Sequence, residues 1–365
     1  MQGKGTDSGV PRMIGMKPFS RHALIAGLLL AIQPVGHAQE SRDYLMIVGS
    51  TTVAPFSELV VERFVSASGF KQPMVQPTGS GGGFMRFCSG ADLLDPDIVY
   101  SSRPIRGTEI DRCIKNGVKE FVEIKIGYDG ILLAQATDAP RMELTRRDIY
   151  LALAKSVPDP GDGDAFVDNP YKNWKEVRAD LPDMPIKVWG PAPGSGTRYV
   201  FARLAMEQGC RTFERAKALE EEDLWLYKTT CRSVRDDGFY TSIGENDDLT
   251  ADKLDEDESA IAILSYGAVD EHEVEIRGVA IDGVKPSYSN IANGSYLISR
   301  PLYLYVKKTS VGTYLGIAEF LAEFTSDSTW GPAGYLRQRG LVAMSEEDRQ
   351  TYREMAEKLT PMTIY

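Results

Sequence analysis

Three times in this chain an apolar run passes through a cluster of glycine and hydroxyl residues into a second run with helical spacing. The first is Tyr44-Leu-Met-Ile-Val48, then Gly49-Ser50-Thr51-Thr52, then Ala54 to Ser66 with Phe56, Leu59, Val60 and Phe64 at helical intervals. The second goes from Met74-Val75-Gln76 through Gly79-Ser80-Gly81-Gly82-Gly83 into a short helix near Phe84–Cys88. The third goes from Ile186-Lys-Val-Trp189 through Gly190-Pro191-Ala192-Pro193-Gly194 to Ser195-Gly196-Thr197-Arg198. There Tyr199, Val200, Phe201, Leu204, Ala205 and Met206 predict a helix beginning at the Ser-Gly-Thr. Strand, turn and helix in repeated succession argue an α/β architecture. The first turn of a helix has backbone N–H groups with no internal partner and the positive end of the macrodipole. Glycine lets an anion come close, and the hydroxyls add donors. One such turn alone reads equally as an ordinary Ser/Thr cap. Three in one chain read as sockets set around a single anion, held by charge-assisted hydrogen bonds.

The remaining segments keep the alternation. Asp97-Ile98-Val99-Tyr100 reads as a strand closed by Ser101-Ser102-Arg103-Pro104, because proline holds the preceding residue extended. Val122 to Ile126 and Ile131 to Ala134 read as two β segments broken at Gly127 and Gly130, and Ala260 to Leu264 and Leu302 to Val306 as further strands. The acidic stretch from Glu245 to Glu258 lacks the spacing of an EF-hand loop and reads as a solvated helix or loop.

Of 365 residues, 42% are hydrophobic and 25% charged, enough for two globular domains. Arg21, the apolar run Ala23 to Ile32 and the small residues Gly36 and Ala38 predict a secretory signal peptide over residues 1–38, with the mature chain starting at Gln39. The formal charge is −11, and removing that segment takes away four basic residues and one acidic, leaving about −14. Nucleic acid is excluded as a partner by this balance. A small anion is not, since local dipoles and a single arginine outweigh a screened distant field. His272 is the only histidine after residue 38, which argues against histidine-dependent triads and histidine-rich metal sites. The four cysteines of an exported chain imply two disulfides, with three pairings open. Proximity favours Cys88–Cys113 and Cys210–Cys231.

The pieces Val48-Gly-Ser-Thr-Thr-Val-Ala-Pro55, Gly79-Ser-Gly-Gly-Gly83, Ser101-Ser-Arg-Pro-Ile105, Gly194-Ser-Gly-Thr197 and Gly294-Ser-Tyr-Leu-Ile-Ser-Arg-Pro-Leu302 stand in this order, followed by Trp330-Gly-Pro-Ala-Gly-Tyr-Leu and Gly340-Leu-Val. In these pieces the chain resembles the periplasmic phosphate-binding proteins of ABC-type phosphate importers. The resemblance implies a type II periplasmic-binding-protein fold, with two α/β lobes joined by crossing strands around a ligand cleft. It divides the chain into lobe I over 39–126, lobe II over 127–271 and a return to lobe I over 272–365, with hinges near Ile126 and Ser265. It also implies capture of inorganic phosphate for a membrane permease, in the periplasm, by a monomer without catalysis, metal or organic cofactor. The ligand set carried over is Thr51, Thr52 and Val53; Ser80 and Gly81; Ser195, Gly196 and Thr197. Many members place an aspartate where this chain has Ser102, and an arginine where it has Pro191. Ser102, Arg103 and Arg198 are therefore expected to complete the set; if no other carboxylate replaces that aspartate, selectivity against sulfate is expected to be poor, and strong rejection would point to Asp236 or Asp237 as acceptor. Arg300 is expected to be structural, and Arg235, Asp236, Tyr240 and Ser242 form a further group, read as a surface loop. The competing readings are a binder of another oxyanion such as sulfate, a sensory or adhesive protein on the same fold, and a hydrolase using Ser80 or Ser195. The hydrolase lacks both a G-x-S-x-G motif and a base.

Overall fold

The computed structural model describes residues 42–363, apart from 162, 244, 245 and 315. The expected signal segment lies outside the described residues. Short continuous runs build β1 (Met46–Gly49) and β3 (Ile98–Ser101), buried throughout, and half-buried β2 (Met74–Pro77), each followed by a helix: α1 (Ala54–Ser68), α2 (Gly79–Phe87) and α3 (Gly107–Lys115). β4 (Phe121–Ala136) is long. Beyond it come β5 (Val188–Pro191), α4 (Gly196–Phe201), α5 (Leu224–Arg232), β6 (Tyr240–Ile243), β7 (Ile261–Ser265), β8 (Ile276–Gly278) and β9 (Ser299–Lys307). The strands form one sheet in the order β2-β1-β3-β9-β4-β7-β5-β6, with β8 also on β4. β1 runs parallel to β2 and β3, and β5 parallel to β6 and β7, whereas β9 and β7 lie antiparallel to β4.

Three apolar cores lie along this sheet: a first and a third on opposite faces of one half, the third holding Val48, Phe84, Val99 and Tyr305, and a second on the other half. Ile47, Tyr100, Val122, Ile124, Leu302, Leu304 and Phe320 belong to the first; Ile131, Leu133, Tyr150, Trp174, Phe201, Leu264 and Tyr296 belong to the second. β4 contributes Val122, Ile124 and Ile126 to the first and Ile131, Leu132 and Leu133 to the second. It is a single strand, where the glycines predict two segments. The break shrinks to a bulge, because the ladder with β9 skips Ile126 between Lys125 and Gly127. The apolar residues of β7, Ile261 to Leu264, pack in the second core. Ile276, Ile281, Ile291, Tyr296 and Ile298 also pack there, so the chain regains the first core only at Leu302.

The glycine run is itself helical, so α2 begins at Gly79 rather than near Phe84. Packing overrides poor propensity here. A Cβ on Gly83 would stand 2.7 Å from the Gly49 Cα and 2.8 Å from Val99 Cγ2, so only glycine lets α2 lie on β1 and β3. Disulfides join Cys88 to Cys113 and Cys210 to Cys231, the pairing that proximity favours. No helix among the described residues is long and apolar enough to cross a membrane.

Candidate functional site

Parallel register brings the first two turns together. Gly49 at the end of β1 stands opposite Pro77 of β2 and Tyr100 of β3, so all three strands present their carboxyl ends at one edge. Ligands of open α/β sheets bind at such edges. The Ser50 N–H donates to the Tyr100 carbonyl at 3.0 Å, and the Thr78 N–H to that of Gly49 at 2.8 Å. Ser80 and Ser102 meet across this edge: their hydroxyls are 3.4 Å apart, and the Ser102 N–H donates to Ser80 Oγ at 3.2 Å. The third turn comes from the other half of the sheet, at the end of β5. Ser195 caps α4 as its spacing predicts, its Oγ accepting from the Thr197 and Arg198 N–H groups at 3.1 and 3.4 Å. Its own proton stays available for donation. A Cβ on Gly196 would lie 3.8 Å from Thr52 Oγ1 and 3.9 Å from Thr51 Oγ1, so the first and third turns nearly touch.

Arg300 holds that junction. It is the cross-strand partner of Asp129 on the β9–β4 ladder, and both side chains are buried. The guanidinium donates from Nε to Asp129 Oδ2 at 3.0 Å, and Nη2 forms an ion pair with the same oxygen at 2.8 Å. Nη2 also reaches Thr52 Oγ1 at 2.9 Å and Thr197 Oγ1 at 3.4 Å, and Nη1 reaches the Gly196 carbonyl at 3.3 Å. Reading Arg300 as structural captures its pairing but misses that its partners are the candidate ligand residues. Asp129 escapes the sequence reading altogether. The available signal is a lone carboxylate in the extended run from Ile124 to Ala134, where an unpaired charge would be costly. Burial pushes the Asp129 carboxyl up, opposed by the Arg300 charge. Both bonds end on Oδ2, so Oδ1 has no hydrogen-bond partner among the described residues.

The other arginines divide. Arg103 is clamped by Glu109, donating from Nη1 and Nη2 at 2.9 and 2.7 Å, and sits 5.2 Å from the Phe84 ring centre. Arg198 folds back over the Tyr240 ring at 4.9 Å, and its Nη1 reaches the Pro191 carbonyl at 3.3 Å and Ser242 Oγ at 3.4 Å. Burial pushes the Tyr240 phenol up to about 12, so it stays a neutral donor to the Pro191 carbonyl at 2.8 Å. Tyr240 and Ser242 therefore belong beside the third turn rather than on a surface loop. Arg235 and Asp236 do not: Arg235 is buried against Asp237 and the Ala152 and Tyr171 carbonyls, and Asp236 pairs with exposed Lys155.

Two cavities share Thr51 in their walls, Arg300 lining the larger and its partner Asp129 the smaller. The larger, about 940 Å³, is lined by Thr51, Ser80, Gly81, Ser102, Arg103, Ser195, Gly196, Arg198 and Arg300. The smaller, about 190 Å³, is lined by Thr51, Thr52, Asp129 and Thr197, with Ser265 and Asp247 at its far side. Of the candidate ligand residues, Val53 alone lines neither: its side chain is buried in the first core, and a backbone N–H is what the resemblance assigns it. That N–H is taken by the Ser50 carbonyl at 3.1 Å.

A model of the PBP superfamily domain matches residues 35–328. Protein SphX of Synechococcus elongatus is 24% identical over 318 residues, which cover 83% of this chain and 82% of that protein. The phosphate-binding protein PstS of Staphylococcus saprophyticus is 25% identical over 320 residues, covering 85% and 82%. In fold the chain is similar to an ABC-type phosphate transport receptor from Vibrio cholerae, with a TM-score of 0.56 and 21% identity over 82% of this chain and 99% of that one. With apolar cores on both halves of one sheet joined by crossing strands, and a superfamily match over most of its length, this chain belongs to the PBP superfamily.

Proposed function

We propose that this chain captures inorganic phosphate in the cleft between its two lobes and delivers it to the membrane permease of an ABC importer. The observation that carries this reading is the convergence of three hydroxyl- and amide-rich turns, from both halves of the sheet, around the Arg300–Asp129 pair. Hydroxyl and N–H donors suit an ion with four oxygens, and one buried guanidinium supplies charge. Relatives named as phosphate-binding proteins support it. Thr51, Thr52, Ser80, Gly81, Ser195, Gly196, Thr197 and Arg198 contact the ion in this reading, with Ser102 and Arg103 at its edge; Val53, whose N–H is held by Ser50, drops out of the set. Asp129 Oδ1 accepts the proton of hydrogen phosphate, the task that Ser102 cannot do. Burial makes it a stronger acceptor. The protein works in the periplasm as a monomer after losing residues 1–38, and needs no metal or organic cofactor. Its lobes are residues 42–126 with 302–363, and the intervening chain.

Hydrolysis is disfavoured, because neither Ser80 nor Ser195 hydrogen-bonds to an imidazole or carboxylate among the described residues. Isothermal titration of the purified mature chain with phosphate, sulfate and arsenate tests the reading. A saturable one-to-one phosphate isotherm is expected, and the absence of phosphate binding overturns it.

A further inference from the structure

The larger cavity is bigger and more basic than a single tetrahedral ion requires. Its volume, about 940 Å³, lies within the roughly 300–1,000 Å³ of pockets that hold drug-sized organic ligands. That size does not come from parted lobes, because contacts cross the cleft at both ends. Arg300 ties Thr52 to Thr197 in its depth, and Arg106 Nη2 donates to Tyr199 Oη at 3.2 Å at its mouth.

The lining charge is one-sided. Six arginines line this cavity, Arg103, Arg106, Arg198, Arg203, Arg232 and Arg300, and no carboxylate does, in a chain whose formal charge is −11. Arg103, Arg232 and Arg300 are paired with Glu109, Glu207 and Asp129. The guanidinium groups of Arg106, Arg198 and Arg203 form no ion pair within 4.0 Å among the described residues, although the Arg106 backbone N–H donates to Glu109 at 2.9 Å. Tyr199 gathers two of them: Arg106 bonds its hydroxyl, and the Arg203 guanidinium lies 5.7 Å from its ring centre. Unpaired guanidinium groups facing a cavity recognise phosphoryl oxygens, often two at a time.

We propose that the cleft also takes a diphosphate, with one phosphoryl group in the hydroxyl and amide turns and the second against Arg106 and Arg203 beside Tyr199. This rests on the phosphate reading above and extends it to a second phosphoryl group. Val200 and Leu204 line the same cavity, and they add no charge beside the two arginines.

The test is isothermal titration of the mature chain with orthophosphate, inorganic pyrophosphate and glycerol 1-phosphate, repeated on the double variant Arg106→Gln, Arg203→Gln. Pyrophosphate is expected to bind at least tenfold more tightly than glycerol 1-phosphate, whose far end is uncharged. The double variant should lose that advantage, tenfold or more, while orthophosphate affinity stays within about twofold. Equal loss for pyrophosphate and orthophosphate would overturn the proposal, as would pyrophosphate binding no better than glycerol 1-phosphate. Orthophosphate binding without pyrophosphate binding sinks the diphosphate site and leaves the phosphate reading standing. Binding of neither anion sinks both.

Discussion

Asp129 and Arg300 set the terms for substitutions in the site, because each neutralises the other away from water. Removing one partner of a buried pair strands the other, at about 3–5 kcal/mol. Arg300→Met should therefore cost stability of that order in urea unfolding and abolish phosphate binding together. An Arg300→Met protein as stable as the wild type would show that the pair is not buried as described. Asp129→Asn separates the roles better, because its amide oxygen still accepts from Arg300 but the group takes up no proton. Wild type should prefer phosphate over sulfate, and Asp129→Asn should narrow that preference at least tenfold. An unchanged ratio would remove Asp129 as acceptor. Arg198 makes a smaller demand: a charge-assisted bond is worth about 1.5–3 kcal/mol, so Arg198→Ala should weaken phosphate binding roughly ten- to a hundredfold. Lys307 carries the pH dependence. Its side chain is buried, and burial lowers its pKa from 10.5 to about 8. Between those values the unfolded chain holds the proton and the folded one does not, so stability rises with pH, by at most about 1.4 kcal/mol per unit from this group. Wild type should gain on Lys307→Met across that window, and parallel profiles would refute the assignment.

At the scale of elements, α2 poses a test in which two effects have opposite signs. Alanine favours a helix over glycine by about 1 kcal/mol, yet at Gly83 its methyl would strike backbone at Gly49. Overpacking costs typically 1–3 kcal/mol, and a collision with backbone has little room to relax. Gly83→Ala should thus lower the unfolding midpoint, while Gly82→Ala, whose nearest neighbour would be Thr78 Cβ at 3.4 Å, should leave it near the wild type. The disulfides close segments of 25 and 21 residues, each worth roughly 3 kcal/mol by chain entropy. Reading these elements from the sequence succeeded where the signal was local. Ser195 as a cap, the α/β alternation and the near cysteine pairs all depend on neighbours within a few residues or on loop length. It fell short where distant contacts decide: the helical start at Gly79 needs Gly49 and Val99 beneath it, and the unbroken β4 needs β9 beside it. Arg300 shows the same limit. Its Ser-Arg-Pro setting is visible, but that it reaches Thr52 and Thr197 follows only from the ladder opposite Asp129.

For the whole molecule, a ligand that binds only the folded state should raise the melting temperature in proportion to the logarithm of its concentration. The phosphate-induced rise should survive treatment with a chelator, and its loss would point to a metal instead. β4 has a consequence of another kind. One strand supplies Val122, Ile124 and Ile126 to the first core and Ile131, Leu132 and Leu133 to the second, with β7 and β9 hydrogen-bonded along it. Melting either core would leave half of that strand without its partners. Two reporters are already in place, buried Trp330 in the first core and buried Trp174 in the second. With one tryptophan retained at a time, both should fade at the same denaturant concentration, as a single cooperative transition. A protease that nicks the chain between the first and second cores would then release no stable half, because those cores share one strand and belong to one unit of folding.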